Sequence, residues 1–133
     1  MKVVLDTNVI VSAAMTTYGT CGQIVDLLVK GAFEICADDR ILAEYDTVLR
    51  RPEFRIVAGD AEVVLDLMRS VAELVAAAPL AAILPDPKDM PLLEVAMASD
   101  AILVTGNLRH FPEEARKGVT VVSPREFLEL LRH

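Results

Sequence analysis

Four oxygen-bearing side chains stand at comparable places in this chain: Asp6, Glu44, Asp89 and Asn107. Three carboxylates and an amide brought to one place form a costly cluster, because like charges at close range raise each other's pKa. Cations relieve that cost, and donors of this kind suit hard divalent ions, Mg²⁺ or Mn²⁺. The two cysteines, Cys21 and Cys36, have no Cys/His spacing that suggests zinc, and read as small buried hydrophobes.

The elements that must position the four can be read from periodicity. Lys2-Val3-Val4-Leu5 is an apolar run typical of a strand buried on both faces, and it ends at Asp6-Thr7-Asn8. Ala101 to Thr105 repeats the pattern and ends at Gly106-Asn107, where the glycine permits a tight turn. In open α/β sheets the carboxyl ends of the strands are where ligands bind. Glu44 falls within a predicted helix whose apolar stripe is Ile41, Leu42, Tyr45, Val48 and Leu49; at about 100° per residue it lies beside that stripe. Asp38 or Asp39 caps this helix and Pro52 closes it. Asp89 precedes Leu92, Leu93 and Ala96 by three, four and seven, which puts it on the inward side of a first helical turn, where an anion is favoured. Asp86 reads as a loop or cap residue.

Elsewhere the spacing predicts a helix around Ile24 to Leu28 stopped by Gly31, and a strand at Phe33 to Cys36. It predicts a long helix over Asp60 to Ala78 with a stripe of Val63, Val64, Leu67, Met68, Val71, Leu74 and Val75, then a brief extended piece at Ala81 to Leu84. A last strand at Val119 to Val122 leads to a helix with Ser123 as cap, Pro124 in first position and Glu126 completing a capping box. Strands alternating with helices imply one α/β domain over residues 1–133, an α/β/α sandwich around a central parallel sheet.

Hydrophobic content of 53% supports a core, and no apolar run reaches the roughly 18 residues of a membrane span. The start does not resemble a secretion signal, so a cytoplasmic protein is expected. A net charge of −7 argues against a general nucleic-acid coat but not against a nucleic-acid enzyme, since metal-holding carboxylates count as excess acid. Basic residues cluster at Arg50, Arg51 and Arg55, and again at Arg109, His110, Arg116 and Lys117. Each group reads as a solvated face or as a rim that contacts phosphate.

Asp6-Thr7-Asn8-Val9 after the first strand, Glu44, Asp86-Pro87-Lys88-Asp89 leading into Leu93 and Ala96, and Val104-Thr105-Gly106-Asn107 together resemble the PIN domain. Arg51-Pro52 and Pro124-Arg125-Glu126-Phe127-Leu128 are similar to features of the bacterial branch that supplies toxins of toxin-antitoxin systems. The resemblance spans nearly the whole chain. It implies a Mg²⁺- or Mn²⁺-dependent endoribonuclease that cuts single-stranded or structured RNA. Asp6, Glu44 and Asp89 would be catalytic metal ligands, with Asp6 the bridge, and Asn107 would add an amide ligand. Asn8 and Thr105 would orient the carboxylates, and Arg109 and His110 would contact phosphate. Metal ions would lower the pKa of an attacking water and neutralise charge at the scissile phosphate. The implied partners are an RNA substrate, a protein antitoxin and a second copy in a homodimer, with Asp60 to Ala78 and Val9 to Met15 as contact surfaces and no membrane.

Many PIN nucleases have a fourth acid where this chain has Asn107, so a second metal should bind more weakly. That favours, as the alternative, a catalytically weakened RNA-binding or protein-interaction module. A phosphoryl-transfer domain with Asp6 as nucleophile is a further class. Against it, the dehalogenase type needs Asp two residues later, where Asn8 stands, and a receiver needs an acidic pair where this chain has Met1-Lys2.

Overall fold

The computed structural model describes residues 1–132. β1 (Lys2–Leu5), β2 (Glu34–Ala37), β3 (Glu73–Leu74), β4 (Ile102–Val104) and β5 (Val121–Val122) form one sheet in the order β3-β2-β1-β4-β5, and every pairing is parallel. Val3, Val4 and Leu5 of the central strand are completely buried, as an apolar run covered on both faces requires. Among the described residues the α-helices are α1 (Thr7–Met15), α2 (Thr20–Val29), α3 (Asp39–Leu49), α4 (Ala58–Val71), α5 (Met90–Ser99) and α6 (Pro124–Leu131).

Parallel neighbours need crossover connections, and these are right-handed almost without exception; that puts α1 to α4 on one face and α5 on the other. Accordingly α1 packs against α2, α3 and α4, while α5 lies against β1, β2 and β4. This is the expected α/β/α sandwich. The chain leaves β1 toward β2 and β3, then returns to β4 on the opposite side of β1. Segments leaving β1 and β4 therefore diverge, and a crevice opens at this switch point beyond the strand ends.

Local chemistry explains several joints. Asp38 caps α3 by accepting a hydrogen bond from the Ile41 N–H at 3.1 Å, and Ser123 and Glu126 make a full capping box on α6. Phe127 of α6 is fully buried edge-on to Phe33, with ring centroids 5.0 Å apart, a pair worth about 1 kcal/mol beyond its burial. At Gly22 a Cβ would sit 1.9 Å from the Thr17 carbonyl oxygen, so only glycine lets α2 start this close to the turn before it.

Three expectations are corrected. The segment Asp60 to Ala78 is not one helix: α4 ends at Val71, Ala72 is extended, and Glu73–Leu74 becomes an edge strand. The open edge of β2 offers those residues hydrogen bonds; Val75 N–H donates to the Ala37 carbonyl at 2.9 Å, and this pairing outweighs helical periodicity. The buried face of α4 is Ala61, Leu65 and Met68, while Val63 and Val71 of the predicted stripe face solvent. Residues Ala81 to Leu84 form no strand, since β3 already occupies that edge. Val9 to Met15 belongs to α1, and Val9, Ile10 and Val11 are core residues and not contact surface. Among the described residues, no helix is long and apolar enough to cross a membrane.

Candidate active site

Asp6 is the last link between the central strands and the crevice. Its N–H donates to the Val104 carbonyl at 2.9 Å, locking the end of β1 to β4, and its backbone caps α1. The carboxylate is buried. Oδ2 accepts from the Thr105 hydroxyl at 2.8 Å and, more distantly, from the Asn8 amide at 3.5 Å. Asn8 Oδ1 in turn accepts from the Gly106 N–H at 3.0 Å, and Thr105 Oγ1 accepts from the Asn107 N–H at 3.0 Å. Two diverging loops are thus laced together around one carboxylate. A Cβ on Gly106 would lie 3.3 Å from Asn8 Oδ1, so glycine lets the second loop approach. Burial pushes the Asp6 carboxyl above its ordinary range, partly offset by the Thr105 hydroxyl.

Glu44 arrives from α3, and its neighbour holds it there. The fully buried Tyr45 donates its hydroxyl to the carbonyl of Leu5, the residue before Asp6, so the helix carrying Glu44 is pinned to the strand carrying Asp6. Burial raises the Glu44 carboxyl; the charge of Asp6 raises it further, while Thr7 and Arg51 lower it. The buried Thr7 hydroxyl lies close enough to the Glu44 carboxylate to lower its pKa, without reaching full hydrogen-bond geometry.

Asp89 caps α5 from a single 3₁₀ turn, Pro87–Asp89, and uses no side-chain oxygen to do so. Burial, then the charge of Asp6, raise its carboxyl to about 6, with His110 opposing. His110 Nδ1 lies 2.9 Å from Asp89 Oδ2. Asp86 caps the 3₁₀ turn, accepting from the Lys88 N–H at 3.0 Å, and its carboxylate also joins the group. One donor atom each of Asp86, Asp89 and His110 lie within 4.8 Å of one another, a spacing compatible with a single cation.

Asp6, Glu44, Asp86, Asp89 and His110 all face one cleft of about 530 Å³ at the switch point. Carboxylates with raised pKa beside an imidazole are donors of a kind that could hold a divalent cation. Of the residues singled out in the sequence, Asp6, Glu44, Asp89, Asn8 and His110 line the cleft, and Thr105 stands behind Asp6. Asn107 is half-buried at the start of a 3₁₀ turn, Leu108–His110, outside the lining, and Arg109 is exposed, also outside it. Of the first basic group only Arg51 lines the cleft; Arg50 is paired with Asp46 and Glu62.

Asp86, Lys88 and Thr7 were not singled out as chemistry by sequence reasoning. A signal for Asp86 existed: a 3₁₀ turn has three residues per turn, so Asp86 and Asp89 fall on the same side if Pro87–Asp89 adopts it. Nothing local marked Thr7, whose place beside Glu44 depends on how α3 packs against α1.

Residues 2–109 match the family model described as the PIN domain. No curated protein matches the chain. Among solved structures, the chain resembles the crystal structure of VapBC2 from Rickettsia felis bound to a DNA fragment from their promoter, at 20% identity and a TM-score of 0.63, over 92% of this chain and 98% of that one. It also resembles a domain of a functionally unknown protein from Methanocaldococcus jannaschii, at 17% identity and a TM-score of 0.56, over 90% and 88% of the two chains.

Proposed function

The chain belongs to the PIN-domain family, and from that premise we propose that it is a Mg²⁺- or Mn²⁺-dependent endoribonuclease acting as the toxin of a toxin-antitoxin system. The observation that carries the reading is the meeting of Asp6, Glu44 and Asp89 in one cleft, each with its pKa raised. We assign Asp6, Glu44 and Asp89 as the metal-holding and catalytic carboxylates, with Asp86 and His110 beside Asp89. A bound divalent ion would supply a water of lowered pKa and neutralise charge at the scissile phosphate.

The rest of the work falls to the protein. Thr105 and Asn8 fix the orientation of the Asp6 carboxylate, a role worth about 10–100-fold in metal affinity or activity at such sites. Tyr45 sets the reach of Glu44. Arg51, Lys88 and His110 face the cleft and balance the charge of an incoming phosphate. Asn107 and Arg109 lie outside the lining, so we give the Asn107 amide a water-mediated part at the metal and Arg109 a contact with phosphate farther along the RNA.

The antitoxin reading rests on the resemblance in sequence and on the likeness in fold to VapBC2. For a protein partner, antitoxin or second copy, we assign the shallow groove where Val63 and Val64 of α4 face Ala13, Ala14 and Val25. A weakened RNA-binding module is the second reading, favoured by Asn107, which brings no charge and lies off the cleft lining.

The test is cleavage of a pool of labelled RNAs in Mg²⁺, Mn²⁺ or EDTA, with Asp6→Asn and Asn107→Asp alongside. Metal-dependent cleavage lost in Asp6→Asn is expected. Cleavage by Asn107→Asp alone would transfer the assignment to the binding module, and cleavage that persists in EDTA would overturn the metal site.

A further inference from the structure

Glu94 is a buried acid outside the cleft lining. It stands in the second turn of α5 among Leu92, Leu93, Val95 and Ala96, all completely buried, and is itself only 7% exposed. Both of its oxygens are taken. Oε1 accepts from Arg40 Nη1 at 2.8 Å, and Oε2 accepts from the Leu80 N–H at 2.9 Å. Arg40 is held in turn by Asp38: Nε and Nη2 donate to Asp38 Oδ2 at 2.9 and 2.7 Å, while Asp38 Oδ1 caps α3. The Arg40 side chain is half-exposed, so its pair with Glu94 adds little to stability. A carboxylate among such neighbours is costly, and an apolar residue of similar size would serve packing at least as well. Packing therefore does not account for Glu94.

What its partners share is a route to the cleft. Arg40 and Glu44 stand four apart on α3, hence on one side of that helix. Asp89 caps α5, the helix that carries Glu94. Leu80 belongs to the connector that runs from β3 to Asp86; from Ala76 to Pro85 its N–H to Glu94 is the one hydrogen bond of the backbone among the described residues. Because α3 and α5 cover opposite faces of the sheet and Asp38 directly follows β2, the Arg40–Glu94 pair passes over the carboxyl end of that strand and joins the two layers. Glu44 enters the cleft from one layer, Asp86 and Asp89 from the turn that leads into the other. The separation of these acids is thus fixed by how the layers meet at this edge.

Resting on the nuclease reading above, we propose that Glu94 and Arg40 are positioning residues for the cleft: the Arg40–Glu94 pair sets the distance between Glu44 and Asp89, and the bond from Leu80 to Glu94 sets where Asp86 enters. Neither side chain lines the cleft, so both act through the acids they place. The position needs a planar fork that meets two carboxylates at once, which the single nitrogen of lysine does not supply.

The test sets Mn²⁺ affinity, read from the paramagnetic resonance of the free ion, beside the kinetics of RNA cleavage and urea unfolding in EDTA. The double variant Arg40→Met/Glu94→Gln removes the pair without leaving a buried charge, and the new amide oxygen still accepts from the Leu80 N–H. Asp46→Asn is the control: it breaks ion pairs of α3 with Arg50 and Arg69, away from α5. The double variant should bind Mn²⁺ about tenfold more weakly and lose a similar factor in kcat, with KM for RNA unchanged and a urea midpoint close to the parent's. Arg40→Lys should shift the same two readouts in the same direction, and it decides the question if the double variant does not fold. Asp46→Asn should leave Mn²⁺ affinity and kcat as they are. Parental Mn²⁺ affinity and kcat in the double variant overturn the positioning role and leave the nuclease reading standing. An equal loss in Asp46→Asn also overturns it, since that marks a general effect of stability. If the parent binds Mn²⁺ but cuts no RNA, weaker Mn²⁺ binding in the double variant keeps the positioning role and removes the nuclease. A parent that binds no Mn²⁺ removes both.

Discussion

Replacing Asp89 by Asn should stabilise the metal-free protein at neutral pH. Burial and the charge of Asp6 raise the Asp89 carboxyl from 3.8 to about 6. Because the folded-state pKa lies above the unfolded one, the native protein holds the proton more tightly. Its contribution to stability is therefore complete below about pH 4 and lost as pH rises through about 6. Two pKa units correspond to about 3 kcal/mol. The cleft admits water, so we reduce this to about 1–2 kcal/mol. At this chain length the difference is about 3–6 °C in Tm. Asn mimics the protonated form, and no helix cap is lost, since the Asp89 side chain makes no capping hydrogen bond.

The assay is urea or thermal unfolding of both proteins in EDTA from pH 4 to 8. Equal stability is expected at the acid end and an advantage for Asp89→Asn above pH 6.5. Other carboxylates with shifted pKa, such as Asp46 and Glu126, titrate in both proteins and cancel in the difference. Mn²⁺ should reverse the order, because the parent keeps the full set of carboxylates and gains more from metal linkage. A difference that does not change with pH would refute the account of Asp89 as a desolvated carboxyl in a like-charged cluster.

Thr105→Val removes the donor to Asp6 Oδ2 without changing shape; metal affinity or cleavage should fall about 10–100-fold with little change in fold, read by Mn²⁺ titration and circular dichroism. Tyr45→Phe leaves the buried Leu5 carbonyl without its hydroxyl donor, which should cost about 1–3 kcal/mol by urea unfolding and lower cleavage by loosening Glu44 relative to Asp6.

Much of the frame was legible because it depends on short-range rules. Buried parallel strands read as unbroken apolar runs, and β1 and β4 were found that way, each with the polar residue at its end. The Ser123 capping box needs only a spacing of three. Asp6, Glu44 and Asp89 could be nominated because each stands at a fixed offset from an apolar stripe or strand, whatever the rest of the chain does.

Other features were settled only when distant segments met. The end of α4 was lost to the free edge of β2, a competitor 37 residues away in register that local periodicity cannot weigh. Asp86 joined Asp89 and His110 because a 3₁₀ turn and a loop from another strand came together. The burial of the Thr7 hydroxyl beside Glu44, and the partnering of Arg50 with Asp46 and Glu62 while Arg51 faces the cleft, are likewise products of packing. The sequence alone determined which residues could carry chemistry. Tertiary structure decided which of them share a cleft and at what protonation cost, because desolvation and charge interaction depend on distances the order of residues does not contain.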